Sequence, residues 1–145
     1  MIGLIQRVSE ASVSVNNEIV GEIGHGMLVL LGVEKSDNDA AIEKLANKIC
    51  RYRMFSDCDG KMNLNVEQVG GKILVVSQFT LVADTQKGNR PGFSRGASPE
   101  HGEQIYNKFI DKLKSLNVPV ETGQFGADMQ VALVNDGPVT FHFHI

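Results

Sequence analysis

Alternation between apolar and polar residues marks the start of the chain as a β-hairpin. Valine and serine alternate over residues 12–15, which is the period of a strand with one covered face. The Asn16-Asn17 pair marks a turn, and Ile19 and Ile23 indicate the partner strand that follows it.

Two apolar runs lack this alternation and predict strands that are buried on both faces. They are "GMLVLLGV" over residues 26–33 and "KILVVSQFTLV" over residues 72–82. A strand that is covered on both sides has no polar face, so its sequence is continuously apolar. We expect both runs to lie in the middle of a sheet.

Helical periodicity occurs twice. We place the N-cap of the first helix at Ser36 or Asp37. Its apolar residues follow at i, i+3, i+4 and i+7: Ile42, Leu45, Ala46 and Ile49. The second helix begins at the N-cap Ser98, with Pro99 as its first residue. Its apolar face comprises Ile105, Phe109, Leu113 and Leu116.

A strand pattern returns at the end of the chain, with a Gly-Pro pair inside it. Residues 140–145 alternate, and residues 131–135 indicate a strand just before them. Between these segments lie Gly137 and Pro138. Proline has no N–H and cannot join a central ladder. The pair either closes a hairpin turn or, in the rarer cis form, turns the chain sharply and points neighbouring carbonyls the same way.

The order of these elements predicts the fold class. Strands, a helix, a strand, a helix and further strands indicate a single α/β domain over residues 1–145. We expect a layered β/β/α arrangement with mixed, largely antiparallel sheets and two main helices. A doubly wound nucleotide-binding fold does not fit, because βα alternation is too brief and no Gly-x-Gly-x-x-Gly or Walker pattern is present.

Composition and charge narrow the classes of function. The 145 residues are 42% hydrophobic and 21% charged, as in a water-soluble globular protein, and carry a net charge of −3. A protein that grips nucleic acid mainly through phosphates is usually basic. The charge argues against long, non-specific tracking along DNA or RNA but permits contact with one RNA end, and we expect no DNA partner.

The chain also lacks the marks of export or membrane insertion. No apolar run approaches the roughly 20 residues of a membrane span. The first residues have neither a basic segment nor the cleavage site of a signal peptide. Cys50 and Cys58 form no disulfide framework, which favours the reducing cytoplasm.

Polar residues interrupt the second apolar run at its carboxyl end, in "SQFTL" at residues 77–81. Ligand sites of α/β sheets often lie beyond this end of a strand. A pocket floor and a plain solvent-exposed edge fit the pattern equally well. Ser77 or Thr80 would need a base within reach to act as a nucleophile. No triad signature accompanies them, so ordinary hydrogen-bonding hydroxyls are favoured.

The polar loop over residues 83–97 is a candidate RNA contact. Lys87, Arg90 and Arg95 lie in it, and such side chains supply most phosphate contacts. A solvated loop is the commoner interpretation. The neighbouring "SQFTL" segment favours the functional one somewhat.

His142 and His144 share a face of the last strand and are the candidate metal pair. A zinc site requires a third protein ligand, and no suitably spaced Cys or His supplies it. A polar strand face is therefore favoured, and we predict no metal and no cofactor.

Two motifs give the chain a specific resemblance. "SQFTL" at 77–81 and "NDGPVT" at 135–140 resemble the two signatures of D-aminoacyl-tRNA deacylases. The resemblance runs end to end, through "LIQRV", "VLLGVEK" (29–35), "GKMNLNV" (60–66), "RPGF" and "GASP" (96–99). One departure is Gly92, where many relatives are expected to carry Ser, and this affects only local loop geometry.

The resemblance implies a cytoplasmic hydrolase that acts on the 3′ end of aminoacyl-tRNA. Such enzymes cleave the ester between a D-amino acid and the terminal adenosine, and also act on glycine mischarged to tRNA. They are homodimers with active sites at the interface. Four residues would line the pocket and hold the aminoacyl-adenosine: Ser77, Gln78, Phe79 and Thr80.

The resemblance also implies how D and L substrates are told apart. The Gly137-Pro138 bond would be cis and enter the pocket of the other subunit, where its carbonyls crowd the place of an L side chain. Arg7 would help to hold this motif. Phe125 and Met129 would form further walls of the pocket.

The implied mechanism needs no side-chain nucleophile, because an aminoacyl ester is already activated. Positioning, backbone N–H groups near Phe79 and Thr80, and the substrate's own 2′-OH would suffice. Lys87 and Arg90 would touch nearby tRNA phosphates. The competing hypotheses are a non-catalytic RNA-end-binding domain and a metal-dependent hydrolase that uses His142 and His144.

Overall fold

The chain folds around one long antiparallel hairpin. In the computed structural model, which describes all 145 residues, β1 (Ile2–Val15) pairs with β2 (Glu18–Ile23). Asn16 and Asn17 join the strands with φ of 50° and 65°, in the left-handed region where Asn is enriched. The predicted turn and its partner strand are confirmed.

Six strands form one mixed sheet. Besides the hairpin it contains β3 (Gly26–Gly32), β6 (Lys72–Ser77), β7 (Val120–Thr122) and β8 (Gln130–His144). The order is β2-β1-β3-β6-β7, and β8 pairs with the other edge of β1. The β3–β6 and β6–β7 pairs are parallel, and all pairs of β1 are antiparallel. A separate small sheet pairs β4 (Phe55–Ser56) with β5 (Met62–Leu64).

The sheet curls until its far strands approach each other. Gly21 of β2 lies against the backbone of β7, where a Cβ atom would overlap the carbonyl oxygen of Thr122. Only glycine permits this approach. The two sheet layers of the predicted α/β fold are therefore halves of one nearly closed sheet, and the mixed, largely antiparallel pairing is confirmed.

Two helices cover one face of the sheet. They are α1 (Asp39–Arg51) and α2 (Pro99–Ser115), and the predicted apolar stripe of α1 is fully buried. Along β3, Met27 and Val29 belong to the core beneath the helices, whereas Leu28 belongs to a second core on the opposite face. The prediction that this strand is buried on both faces is confirmed. Neither helix combines the length and the apolar run that a bilayer crossing requires.

The N-cap of α1 differs from the prediction. Asn38 caps the helix, and its side chain accepts a hydrogen bond of 3.1 Å from the N–H of Ala41. Asp37 does not cap because its carboxylate accepts instead from the Met1 ammonium and the Glu34 N–H, both at 2.7 Å. The predicted cap of α2 at Ser98 is confirmed.

The second apolar strand is shorter than predicted. β6 ends at Ser77, and residues Phe79–Val82 form a 3₁₀ helix. The neighbouring strand β3 ends at Gly32, so there is no ladder to extend the pairing beyond this point. Gly32 also leaves room for the 3₁₀ helix, because a Cβ atom there would lie 3.0 Å from Leu81 Cβ.

The C-terminal segment is one interrupted strand rather than two strands and a hairpin turn. β8 pairs with β1 on both sides of the Gly137-Pro138 peptide bond, which is cis. Val8 lies opposite Asn135 and Gln6 opposite Thr140. Four residues of β8 therefore face a single residue of β1, and residues 136–139 form a bulge that projects from the sheet.

A cluster of charged groups joins the two ends of the chain. The Met1 ammonium lies 2.7 Å from Glu34 Oε2 and 2.7 Å from Asp37 Oδ1, and His144 Nε2 lies 2.9 Å from the same Glu34 oxygen. Burial alone would raise the pKa of Glu34, but hydrogen bonds from the ammonium and from His144 lower it overall. These contacts place His144 against Glu34, and nowhere in the chain do three metal-ligating side chains cluster.

Candidate active site

A cavity of about 340 Å³ opens where β6 ends. It lies between this strand end, the loop after the 3₁₀ helix, the first turns of α2 and the segment before β8. Its walls are mostly apolar, and they include Leu31, Val33, Val82, Phe93, Ala97 and Tyr106. The predicted site residues Ser77, Phe79 and Phe125 also line it.

The "SQFTL" segment forms one rim of the cavity. Ser77 is the last residue of β6, and the N–H of Gln78 donates to the carbonyl oxygen of Leu31 at 2.7 Å. This bond ties the segment to the end of β3. Phe79 is 68% exposed and lies against Phe93, with ring centroids 5.2 Å apart. The pair gives the rim an exposed aromatic surface.

Thr80 has no base beside it. Its Oγ1 accepts a hydrogen bond from the side-chain amide of Gln78, and neither residue lines the cavity. Two of the four histidines have other partners: His101 contacts the carbonyl of Asp37, and His144 contacts Glu34. The arrangement therefore lacks the nucleophile–base contact of a triad.

The floor of the cavity is formed by α2 and the segment before β8. Tyr106 and Phe125 lie together, with ring centroids 5.6 Å apart. The hydroxyl of Tyr106 donates to the carbonyl oxygen of Val75 at 3.1 Å, and burial raises the pKa of this phenol to about 12. Tyr106 thus remains protonated at neutral pH and serves as wall rather than acid or base.

Met129 does not line this cavity within the chain, although it was predicted as a wall. Its sulfur lies over Gly123, where a Cβ atom would approach it to 2.8 Å, and the side chain packs on the second core. The segment between Phe125 and Met129 carries the two side chains to different places, which residue types alone do not reveal.

The loop over residues 83–97 contains no helix or strand, as predicted, but it is tied down. Asp84 and Gly92 exchange backbone hydrogen bonds of 2.7 and 3.0 Å. Lys87 and Arg90 are exposed, and neither forms an ion pair. Their positive charges are therefore available to an anionic ligand.

Gly137 and Pro138 lie away from the cavity of their own chain. Both are exposed at the tip of the bulge, and neither lines the cavity. Arg7 holds the base of the bulge, since its Nε donates to the carbonyl oxygen of Asp136 at 2.8 Å and its Nη1 to that of Met54 at 3.0 Å.

The walls that sequence reasoning did not assign to the site include Phe93, Ala97 and Tyr106. Phe93 and Ala97 lie within "RPGF" and "GASP", two of the segments that carry the family resemblance. Tyr106 directly follows Ile105 of the predicted apolar stripe of α2. Its position beside that stripe was the available indication that it faces inward.

Fold and cavity together define an α/β protein with a ligand pocket at the carboxyl end of a central strand. The family model described as D-Tyr-tRNA(Tyr) deacylase matches residues 4–144, so the chain belongs to this family of hydrolases. The resemblance drawn from the two motifs is thereby confirmed.

Curated relatives match over their full length. Proteins named D-aminoacyl-tRNA deacylase are 79% identical in Alteromonas mediterranea, 63% in Pseudoalteromonas atlantica and 57% in Escherichia coli O81. Each alignment covers 100% of this chain and 100% of the relative.

Two solved structures have the same fold. One, titled c-Myc DNA Unwinding Element Binding Protein, is 40% identical with a TM-score of 0.96, and covers 100% of this chain and 99% of its own. The other, from a structural analysis of a probable eukaryotic D-amino acid tRNA deacylase, has a TM-score of 0.84 over 99% of this chain and 98% of its own. It is 18% identical and supports the fold alone.

Proposed function

We propose that the chain hydrolyses the ester that joins a D-amino acid to the 3′-terminal adenosine of tRNA, and the same ester of mischarged glycyl-tRNA. One observation carries the proposal: the cavity at the end of β6 brings Ser77 and Phe79 together with Phe125, in a chain of the deacylase family. The volume of about 340 Å³ falls within the range of small-ligand pockets.

The cavity suits the flat adenine base at the end of an aminoacyl-tRNA. Aromatic rings offer stacking surfaces to a base, and such stacking tolerates any sequence in the remaining RNA. Phe79, Phe93 and Phe125 supply these rings. The enzyme would thus bind the terminal adenosine and its amino acid and leave the tRNA body largely unread.

The proposed chemistry is attack of water on an activated ester. The water oxygen bonds to the carbonyl carbon, the bond from that carbon to ribose O3′ breaks, and a proton ends on O3′. The substrate's 2′-OH orients the water, and backbone N–H groups near Phe79 and Thr80 stabilise the negative charge that develops on the carbonyl oxygen. The amide contact of Thr80 and the missing base support a reaction without a side-chain nucleophile.

The chirality of the substrate would be read by a second copy of the chain. Gly137 and Pro138 project from the sheet and do not reach their own cavity. The sheet face opposite the helices is only partly covered, with Leu30, Val131 and Leu133 half-buried there. In the proposed homodimer, Gly137 and Pro138 form a chiral gate: they enter the partner's cavity and exclude an L side chain. Glycine has no side chain to exclude, so glycyl-tRNA would be accepted.

Contact with the rest of the tRNA would be small. Lys87 and Arg90 would touch phosphates near the 3′ end, and the net charge of −3 agrees with a short RNA footprint. The reaction would take place in the cytoplasm, where aminoacyl-tRNA is made and used. Neither cysteine is in a disulfide, which agrees with that compartment.

Paired time courses on D-Tyr-tRNA and L-Tyr-tRNA with trace enzyme test the function. We expect rapid hydrolysis of the D ester alone, unchanged after dialysis against a chelator. Hydrolysis of both esters would contradict the proposed chiral gate and support the esterase activity. Hydrolysis of neither, by correctly folded protein, would leave a non-catalytic RNA-end-binding domain. Loss of activity with the chelator would favour the metal-dependent alternative.

A further inference from the structure

The bulge that carries Gly137 and Pro138 has no sheet partner of its own. Val8 pairs with Asn135 and Gln6 with Thr140, so residues 136–139 face Arg7 alone. Ladder hydrogen bonds between β1 and β8 therefore stop on one side of the bulge and resume on the other. Side chains must hold the bulge in place.

Asn135 closes the neck of this bulge. Its Oδ1 accepts a hydrogen bond of 2.7 Å from the N–H of Val139, and its Nδ2 donates to Thr140 Oγ1 at 3.0 Å. One planar amide thus joins the residue before the bulge to the last residue within it and the first beyond it. Pro138 has no N–H, so that of Val139 is the first backbone donor after the Gly-Pro pair.

The two arms of the bulge are held by different residues. Arg7 fixes the first arm through the carbonyl oxygen of Asp136 at 2.8 Å. Asn135 fixes the second arm through Val139, and the only other side chain that bonds to Thr140 is Gln6, at 3.4 Å. Gly137 has a φ of 144° and no Cβ to restrict it. Without the hydrogen bond between Asn135 and Val139, its backbone can therefore sample other conformations.

We propose that Asn135 is a positioning residue for chiral discrimination, because its amide sets where the Gly137-Pro138 tip points. The proposal rests on the chiral gate proposed above. A gate that excludes an L side chain by crowding must be held to a fraction of an ångström. A loosened tip would admit the L ester while the cavity that binds the D ester stays intact.

The pair Asn135→Leu and Asn135→Asp separates this role from general stability. Leucine has the same branching and the same number of side-chain heavy atoms, and it makes neither bond. Aspartate keeps both, because its carboxylate accepts from Val139 and the Thr140 hydroxyl turns to donate. We expect Asn135→Leu to hydrolyse D-Tyr-tRNA within about threefold of wild type, while the ratio of D to L rates falls about tenfold through faster L hydrolysis. Asn135→Asp should restore most of the ratio.

Two further variants complete the design. Thr140→Val removes one of the two bonds of Asn135 and keeps the bond to Val139, so it should lower the ratio by a smaller factor, and it replaces Asn135→Leu if that variant does not fold. Asn47→Leu is the matched control, because Asn47 also donates a hydrogen bond from its side-chain amide, in its case to the backbone carbonyl of Glu43 on α1, far from the bulge in sequence. It should leave the ratio unchanged.

The outcomes distinguish this proposal from the function on which it rests. A folded Asn135→Leu enzyme that keeps the full ratio overturns the role of Asn135 and leaves the gate standing. D and L rates that fall together also overturn it, since they indicate a merely structural residue. Wild-type enzyme that hydrolyses both esters equally overturns the gate itself.

Discussion

Arg7 and Asp136 are joined across two neighbouring strands by a hydrogen bond of 2.8 Å from the guanidinium Nε to the backbone carbonyl oxygen. The same guanidinium donates to the carbonyl of Met54 at 3.0 Å, and its side chain is only 12% exposed. The carboxylate of Asp136 lies 3.7 Å away but is 53% exposed, so the ion pair adds little. The backbone contact is what fixes the base of the bulge.

Replacing Arg7 by Lys should weaken chiral discrimination. A lysine ammonium lacks the fork with which Arg reaches two carbonyls in different directions. We expect the ratio of D-Tyr-tRNA to L-Tyr-tRNA hydrolysis to fall about tenfold, which is the worth of one hydrogen bond to a charged group. Time courses on the two esters measure the ratio.

Arg51→Lys is the control for this change, because Arg51 is exposed in the last turn of α1. It should keep the wild-type ratio. An Arg7→Lys enzyme with unaltered discrimination would show that the bulge is held without the guanidinium.

Removal of the Thr80 hydroxyl should leave most of the activity. That hydroxyl accepts a hydrogen bond from the Gln78 amide and has no base to take its proton. We expect Thr80→Ala to retain kcat within about tenfold of wild type, whereas loss of an essential nucleophile costs about 10⁴-fold or more. Single-turnover hydrolysis of D-Tyr-tRNA makes the comparison at saturating enzyme.

Substrate binding must be checked in the same variant. Thr80→Ala protein that folds and binds D-aminoacyl-tRNA normally but does not hydrolyse it would overturn this expectation and make the hydroxyl essential to the reaction.

Local patterns predicted the elements better than their ends. The apolar stripe of α1 depends only on residues within the helix, so it could be derived from the sequence. The cap at Asn38 could not, because Asp37 is diverted by Met1, which is distant in sequence. The end of β6 likewise depends on where its partner strand stops at Gly32.

The same distinction between local pattern and distant contacts holds for the residues of the site. Ser77 and Phe79 could be placed at a strand end from their pattern, and they line the cavity. Tyr106 could not, because its role depends on how α2 rests against Phe125. The Gly137-Pro138 pair could be singled out from the sequence, but the extent of its bulge could not, because that depends on the register of β8 against β1.

The charged cluster at Glu34 should make stability depend on pH. Burial raises the pKa of this carboxyl, but the Met1 ammonium and His144 outweigh it and hold the pKa below its ordinary value of 4.5. A carboxyl whose pKa is lowered by folding stabilises the protein fully above its unfolded pKa, and this contribution is lost as the pH falls through the folded value.

Glu34→Gln should therefore lower the free energy of unfolding by about 1–2 kcal/mol at pH 7. The difference from wild type should shrink as the pH falls below about 4.5. Urea unfolding at several pH values gives both quantities. Glu103→Gln, an exposed change on α2 without an ion pair, should show no such dependence. A difference that stays constant down to pH 3 would mean that the Glu34 charge is not what stabilises the fold.

Lys87 should contribute to RNA binding without contributing to specificity. Its charge is exposed and unpaired in a loop that also forms part of the cavity wall. A lysine that neutralises one phosphate displaces a counterion, so its removal should flatten the plot of log affinity against log salt by about 0.7 to 1. We expect Lys87→Ala to weaken binding by a similar factor for two different tRNAs that carry the same D-amino acid, since phosphates do not differ between sequences.

Values of kcat/KM measured from low to moderate KCl give the slope under conditions where binding limits the rate. Lys44→Ala is the matched control, because Lys44 is also exposed but lies on α1, which contributes nothing to the cavity. Equal slopes for wild type and Lys87→Ala would remove Lys87 from the RNA contact and leave Arg90 and Arg95 as the remaining candidates in the loop.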